Sequence, residues 1–431
     1  MSRNAEALLV ASGSILAALG VAMVGFAEGN WLDAQVALTF LVFALSFGGV
    51  HMALRAWAPN ANPLVLPIAA FLTAIGFIEV YRLDRQLATL QQWWLIVASV
   101  FAVVTLWLLR NSGVAVLRRY RYIFLAVAVV LLLLPLLPES WPLHGATING
   151  SRLWVRLQVP VGGVVLSFQP GEMAKVFLTI FLASYLADRA EAMSTVSRRI
   201  GPFRFPEPRH LGPVVIAAAA AFLVLIYQRD LGASLLLFGL FIGMLYAATG
   251  RTFYLGAGAL AVLAGGLTAY RAFGHVRIRV TAWLDPFADY AGSGYQVVQG
   301  LFAMGSGSLT GSGLGLGRPD LIPAAATDFV FAAIAEELGL AGSIAVLTGF
   351  ALFVTVGFGI ALRSRDRFRK YLAAGLTILI GLQALLIIAG ILRLFPITGV
   401  TLPFMSYGGS SLLASAVIVA LLTRVSHEER T

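Results

Sequence analysis

The chain has 431 residues, of which 59% are hydrophobic and only 12% charged, and it contains no cysteine. An apolar share so far above the roughly 45–50% of soluble domains excludes an ordinary water-soluble enzyme, and the missing thiols exclude disulfides and thiolate metal sites. The net charge of +10 is divided among short segments between apolar runs, which excludes a continuous basic patch that would track a nucleic acid backbone.

Apolar runs close to the roughly 20 residues needed to cross a bilayer predict five spans, at 7–27, 34–54, 62–81, 90–109 and 120–137. The rest are expected at 170–188, 212–228, 231–249, 253–271, 338–362, 369–392 and 407–424. The expected fold is therefore all-α, a polytopic integral membrane protein of about 12 transmembrane helices. The first span reads as a retained anchor, because only Arg3 precedes it and other spans follow closely. With the N-terminus in the cytoplasm, Arg110, Arg118, Arg119 and Arg121 lie inside, as do Arg198, Arg199, Arg204, Arg209 and the run from Arg363 to Lys370. That orientation satisfies the positive-inside rule, makes both termini cytoplasmic and turns 138–169 and 274–326 into extracytoplasmic loops.

The first of these loops carries Asn149-Gly150-Ser151-Arg152-Leu153-Trp154-Val155-Arg156. Two guanidinium groups around an aromatic ring suit phosphate oxygens. They equally suit anchoring at lipid headgroups. Gln169-Pro170-Gly171-Glu172-Met173-Ala174-Lys175 follows, with proline fitting a first helical turn and Glu172 and Lys175 on one face at i,i+3. Lys175 is an ionisable residue inside a span, a costly placement that points to function, although a structural pair with Glu172 also satisfies it.

The second loop sets Asp285 and Asp289 four residues apart beside Gly292-Ser293-Gly294, either as a general base and its neighbour or as two solvated turn residues. The stretch from Gly305 to Gly317 lacks the Gly-Lys-Ser/Thr ending of a nucleotide loop and reads as a close-packed turn. Asp230, Asp328, Glu336 and Glu337 sit at span ends, where helix capping and pairing with arginines are their plainest duties. Between Pro396 and Ser411, two prolines and three glycines interrupt the apolar pattern; irregular backbone at membrane depth must be buried in protein or line a cavity. The histidines at 51, 144, 210, 275 and 427 are too scattered for a metal centre.

In chain order, these stretches resemble the shape, elongation, division and sporulation (SEDS) family, the RodA/FtsW type of peptidoglycan glycosyltransferase. The resemblance rests on Asn-Gly-x-Arg-x-Trp from Asn149, Gln-Pro-x-Glu-x-x-Lys from Gln169, Asp-x-x-Gly-x-Gly-Tyr-Gln from Asp289 and Gly-x-x-Leu-Pro-Phe-x-Ser-Tyr-Gly-Gly-Ser-Ser from Gly399. It covers roughly residues 62–424, so residues 1–60 form an additional N-terminal helix pair and 61–431 the family core. What it implies is polymerisation of lipid II into glycan strands at the outer face of the bacterial cytoplasmic membrane, with Asp289 as general base. Lys175 would stand near Asp289 and keep it ionised, while Arg152, with Arg156 or Arg279, would stabilise the departing pyrophosphate. Trp154, Glu172, Gln296, Asp328, Ser406, Tyr407 and Ser410 would bind substrate or shape the site. No added cofactor is required, a divalent cation is compatible, and a class B penicillin-binding protein is the implied partner.

Three departures stand out. Pro323-Ala324-Ala325-Ala326-Thr327-Asp328-Phe329 lacks the Glu and His that members often carry, Leu153 replaces a common arginine, and Tyr290 replaces the usual proline. Two rival readings are a lipid-linked oligosaccharide flippase, which also shows many spans, a broken helix and intramembrane charges, and a noncatalytic scaffold for a cell-wall synthase. Crowding of Arg152, Asp289 and Asp328 toward the outer face, with no internal repeat, favours chemistry over transport.

Overall fold

The computed structural model describes residues 2–29, 34–148, 151–158, 165–194, 198–200, 203–205 and 230–430. The span expected at 212–228 and the dipeptide Asn149-Gly150 lie outside them. Among the described residues, nine helices are long and apolar enough to cross a membrane: Arg3–Ala27, Ala34–Trp57, Val65–Leu83, Arg85–Leu109, Gly232–Thr249, Thr252–Ala272, Gly339–Arg363, Arg367–Ile391 and Gly409–Glu428. The shorter Arg121–Leu136 and the 25-residue Pro170–Ser194 occupy two more of the expected positions.

Local chemistry sets several helix ends. Asp84 Oδ1 accepts from the N–H groups of Gln86 and Leu87, at 2.8 and 3.0 Å, and opens Arg85–Leu109. Asp230 Oδ1 accepts from Ala233 N–H at 2.8 Å and opens Leu231–Thr249, which stops at Gly250 with φ +68°. Pro170 is the first residue of its helix, where its missing N–H costs nothing.

Two compact units result. The first comprises 1–110, 263–356 and 383–431. Its last helix, Gly409–Glu428, is buried along nearly its whole length, Ser410, Ser411, Ser415 and Thr423 included. At its end, Arg424 Nη1 donates to Trp57 O at 2.7 Å and Nη2 to Arg110 O at 3.2 Å. The N-terminal pair packs within this unit: Arg3 Nη2 donates to Ala58 O and Ala61 O, at 2.9 and 2.8 Å, and Arg3 Nη1 donates to buried Glu6, which also meets His51 Nδ1 at 3.3 Å.

The second unit comprises 111–262 and 357–382. Arg121–Leu133 packs on Pro170–Ser194 through Phe124 and Phe177, with ring centroids 5.5 Å apart, and Arg118 and Arg121 share Asp188. The segment 138–169, read from sequence as a loop of an all-α protein, instead contains a three-stranded antiparallel sheet of Leu143–Ile148, Ser151–Gln158 and Val165–Phe168. Gly145 pairs with Val155, and Val155 with Phe168. Branched and aromatic residues favour this pleated arrangement, and the polypeptide remains overwhelmingly helical. The segment 274–326, also expected as a loop, contains the helices Gly274–Leu284 and Tyr295–Gly307.

Candidate active site

In the first unit, the helix Gly274–Leu284 ends as Asp285 N–H donates to Thr281 O at 2.9 Å. The chain then curls so that Gly292 N–H and Gly294 N–H both donate to Asp289 O, at 3.1 and 3.0 Å. Asp289 Oδ2 accepts from Ser293 N–H and Ser293 Oγ, each at 2.8 Å. A side chain at Gly292 would place Cβ 2.5 Å from both carboxylate oxygens, and one at Gly294 would place it 2.0 Å from Pro286 O. The Gly-Ser-Gly sequence is thus two close approaches around one residue that donates twice. Bonds from Ser293, backbone first and then hydroxyl, hold the Asp289 carboxyl below the usual carboxylate range. The group is exposed, ionised at neutral pH and able to accept a proton, whereas Asp285 merely follows the helix end.

Around this turn, Gln296 Nε2 donates to Pro323 O at 2.9 Å. Asp328 lies in the 323–329 turn, and desolvation pushes its carboxyl up to about 6 against the opposing pulls of Thr327 and Arg279. Arg279 Nη1 donates to Thr398 O at 3.3 Å, and a Cβ on Gly399 would lie 3.6 Å from Arg279 Nη2 and 3.8 Å from Asp328 Oδ2. The interrupted segment after Pro396 is pinned to the same turn: Ser406 Oγ donates to Thr327 O and accepts from Leu402 N–H at 2.9 Å, and Tyr407 N–H donates to Ala326 O at 2.8 Å. Ser410 is buried at the start of Gly409–Glu428. Arg279, Asp289, Gln296, Asp328, Ser406, Tyr407 and Ser410 therefore belong to one unit. Among the described residues, no group of three or more His, Asp or Glu side chains forms a metal site.

Arg152, Trp154, Glu172 and Lys175 belong to the second unit. Lys175 Nζ donates to Glu172 Oε1 at 2.9 Å, with side chains only 4% and 6% exposed, so the pair is buried. Both line a small cavity with Gln169, Leu153 and Asp230. Leu153, the position where the family resemblance led one to expect arginine, thus faces the same space as Lys175. On the opposite face of its strand, Arg152 Nη2 donates to Leu137 O at 2.8 Å, which commits part of its fork to backbone. Trp154 pairs across the sheet with Ala146 and is half-buried, while Arg156 is exposed.

The FtsW/RodA/SpoVE family model, described as cell cycle protein, matches residues 62–431. The chain belongs to this family. Over 99% of its length it is 38% identical to the peptidoglycan glycosyltransferase RodA of Mycobacterium tuberculosis, covering 91% of that protein. It is 31% identical to the stage V sporulation protein E of Bacillus subtilis, over 85% of this chain and 97% of the relative. Among solved structures, it resembles a chain of a peptidoglycan synthase complex that coordinates polymerization and crosslinking, with a TM-score of 0.66 and 26% identity over 86% of this chain and 98% of that one. Thermus thermophilus RodA shares the fold, with a TM-score of 0.58 and 23% identity over 86% of this chain and 98% of its own.

Within this family member, Glu336 and Glu337 have the structural duties that span-end carboxylates suggested, with partners the sequence did not identify. Glu336 Oε1 accepts from Arg318 N–H at 2.8 Å, while Glu337 accepts from Arg82 Nε at 3.1 Å and from Gly315 N–H at 2.9 Å. They fasten the glycine-rich turn before the helix Val330–Glu337. Arg82 carried no sequence signal for this, because its partner is 255 residues away.

Proposed function

We propose that this protein is a peptidoglycan glycosyltransferase that polymerises lipid II, with Asp289 as general base and both termini in the cytoplasm, so that the site faces the extracytoplasmic side. The observation that carries this reading is the exposed, ionised Asp289 carboxylate, set by Ser293 in the motif shared with the family. The names of the mycobacterial relatives support the same chemistry. As the acceptor's sugar 4-hydroxyl oxygen bonds to the donor's anomeric carbon, the bond to the pyrophosphate oxygen breaks and the hydroxyl proton passes to Asp289. A carboxylate below the usual range is a weak base, suited to a hydroxyl that becomes acidic only as its new bond forms. Arg279, in the same unit as Asp289, supplies positive charge for the leaving pyrophosphate.

A class B penicillin-binding protein is the proposed partner, in line with the peptidoglycan synthase complex that this fold resembles. The scheme requires no cofactor, and a divalent ion assisting it would reveal itself as turnover lost on chelation and restored by that ion. The test is conversion of lipid II to polymer by wild type and Asp289→Ala, each with a transpeptidase-dead partner. A fall of about 10²- to 10⁴-fold in Asp289→Ala is the expected outcome for loss of a general base. Equal product from both would remove Asp289 from that role, and no product from either would return the flippase reading.

A further inference from the structure

In the first unit, the end of the helix Gly274–Leu284 and the chain just beyond Ile391 hold one another reciprocally. Trp283 Nε1 donates to Arg393 O at 2.9 Å, Arg393 Nε returns a bond to Trp283 O at 2.7 Å, and Arg393 Nη2 donates to Leu284 O. One turn back on the same helix face, Arg279 Nη1 grips Thr398 O at 3.3 Å. The helix is therefore fixed at two points against the segment 393–398, and the clasp lies at its downstream end.

Arg393 has a backbone cost. Its φ is +59°, in the left-handed region where Cβ crowds the backbone and glycine or asparagine is usual. The position is a helix-terminating turn: Arg393 N–H donates to Gly390 O at 3.1 Å and Leu394 N–H to Ala389 O at 2.7 Å, the setting in which a left-handed glycine normally ends a helix. Glycine would make that turn without strain but could not reach Trp283 O or Leu284 O. An unfavourable conformation over-determined by its surroundings is a pointer to function.

The purpose follows from what the Asp289 turn lacks. Among the described residues, its carboxylate bonds within the turn, to Ser293 and Gly292, so the direction in which it points is set by its two flanks. Downstream, Gln296 fastens the next helix to Pro323 O. Upstream, Arg393 holds the carbonyls of both Trp283 and Leu284.

We propose that Arg393 is a positioning residue for the Asp289 turn: its guanidinium fixes the end of the helix Gly274–Leu284 and so aims the carboxylate without touching substrate. Only the kinetic consequence rests on the glycosyltransferase reading. The test compares full-length wild type, Arg393→Gly and Arg393→Lys, each with its transpeptidase partner. Arg393→Gly relieves the left-handed strain while deleting the two side-chain bonds, so it separates positioning from folding.

Amide hydrogen exchange across 281–294 should quicken by about tenfold or more in Arg393→Gly, as expected when a local opening becomes easier, with Gly409–Glu428 unchanged. In lipid II polymerisation, kcat should fall by about tenfold with KM held within about twofold, the signature of a displaced catalytic group. Arg393→Lys should recover part of kcat. Unchanged exchange across 281–294, unchanged kcat, or faster exchange throughout the unit would each overturn the proposal. Absence of polymer from wild type would count against the enzymatic reading alone, and the exchange comparison would still decide the clasp.

Discussion

Replacing Gly76 by alanine should destabilise the protein through one identifiable collision. Gly76 lies within Val65–Leu83, and a Cβ there would stand 2.3 Å from Met405 Cα, 2.4 Å from its O and 2.7 Å from its C. Carbon atoms pack best about 3.5–4.0 Å apart, so either the helix or the Met405 backbone must yield by more than an ångström. Neither yields freely, because Met405 is fully buried and the following residues are held by Ser406 Oγ to Thr327 O and Tyr407 N–H to Ala326 O. Overpacking costs about 1–3 kcal/mol, and weakening those two bonds adds about 1 kcal/mol each. The better helix propensity of alanine returns about 1 kcal/mol. The net loss is about 2–4 kcal/mol. Thermal unfolding in one detergent at one scan rate measures it, with Gly49→Ala as control, since nothing lies within 4 Å of a Cβ at Gly49. Gly76→Ala should melt several degrees lower and polymerise lipid II more slowly, because Ser406 and Tyr407 shift with Met405. Equal melting of the two variants would refute the collision.

Two pH experiments probe the site. Ser293→Ala removes one of the donors that lower the Asp289 pKa, so the acid limb of kcat/KM should move upward toward the ordinary carboxylate range; a limb that stays put would remove Ser293 from tuning this group. Asp328 is raised from 3.8 to about 6, so the folded state holds that proton more tightly than the unfolded chain does. Its contribution to stability is complete below about pH 3.8 and lost as pH rises through about 6. Asp328→Asn should accordingly match wild type near pH 4 and gain on it above pH 6, whereas an offset independent of pH would contradict the burial argument.

The helices were legible because the bilayer imposes a length and an apolar composition on every span, and Pro170 and Asp230 mark two of the boundaries. The sheet was not, since a strand as short as Val165–Phe168 offers too few residues for a period to emerge. The one usable signal is Asn149-Gly150 between two β-favouring runs, a hairpin cue that coincides with the family motif. Asp289 was legible through its motif, and the turn supplies the reason for Gly292 and Gly294. For Arg152 the sequence leaves phosphate binding and headgroup anchoring equally open, and it gives no sign of the bond to Leu137 O, which depends on the short turn Leu134–Leu136 meeting the sheet. Trp283 and Arg393 are 110 residues apart, and only tertiary folding brings them together.

The self-contained bonding of Asp289 has a consequence for how such a site can change. Its acidity is fixed by Ser293, a residue of the same turn, whereas its bearing is inherited from flanking helices anchored by Gln296 and Arg393. Strength and aim are therefore governed by different residues. A variant that re-docks the flanks can redirect the base toward a differently shaped acceptor without retuning it, and one at Ser293 can retune it without redirecting it.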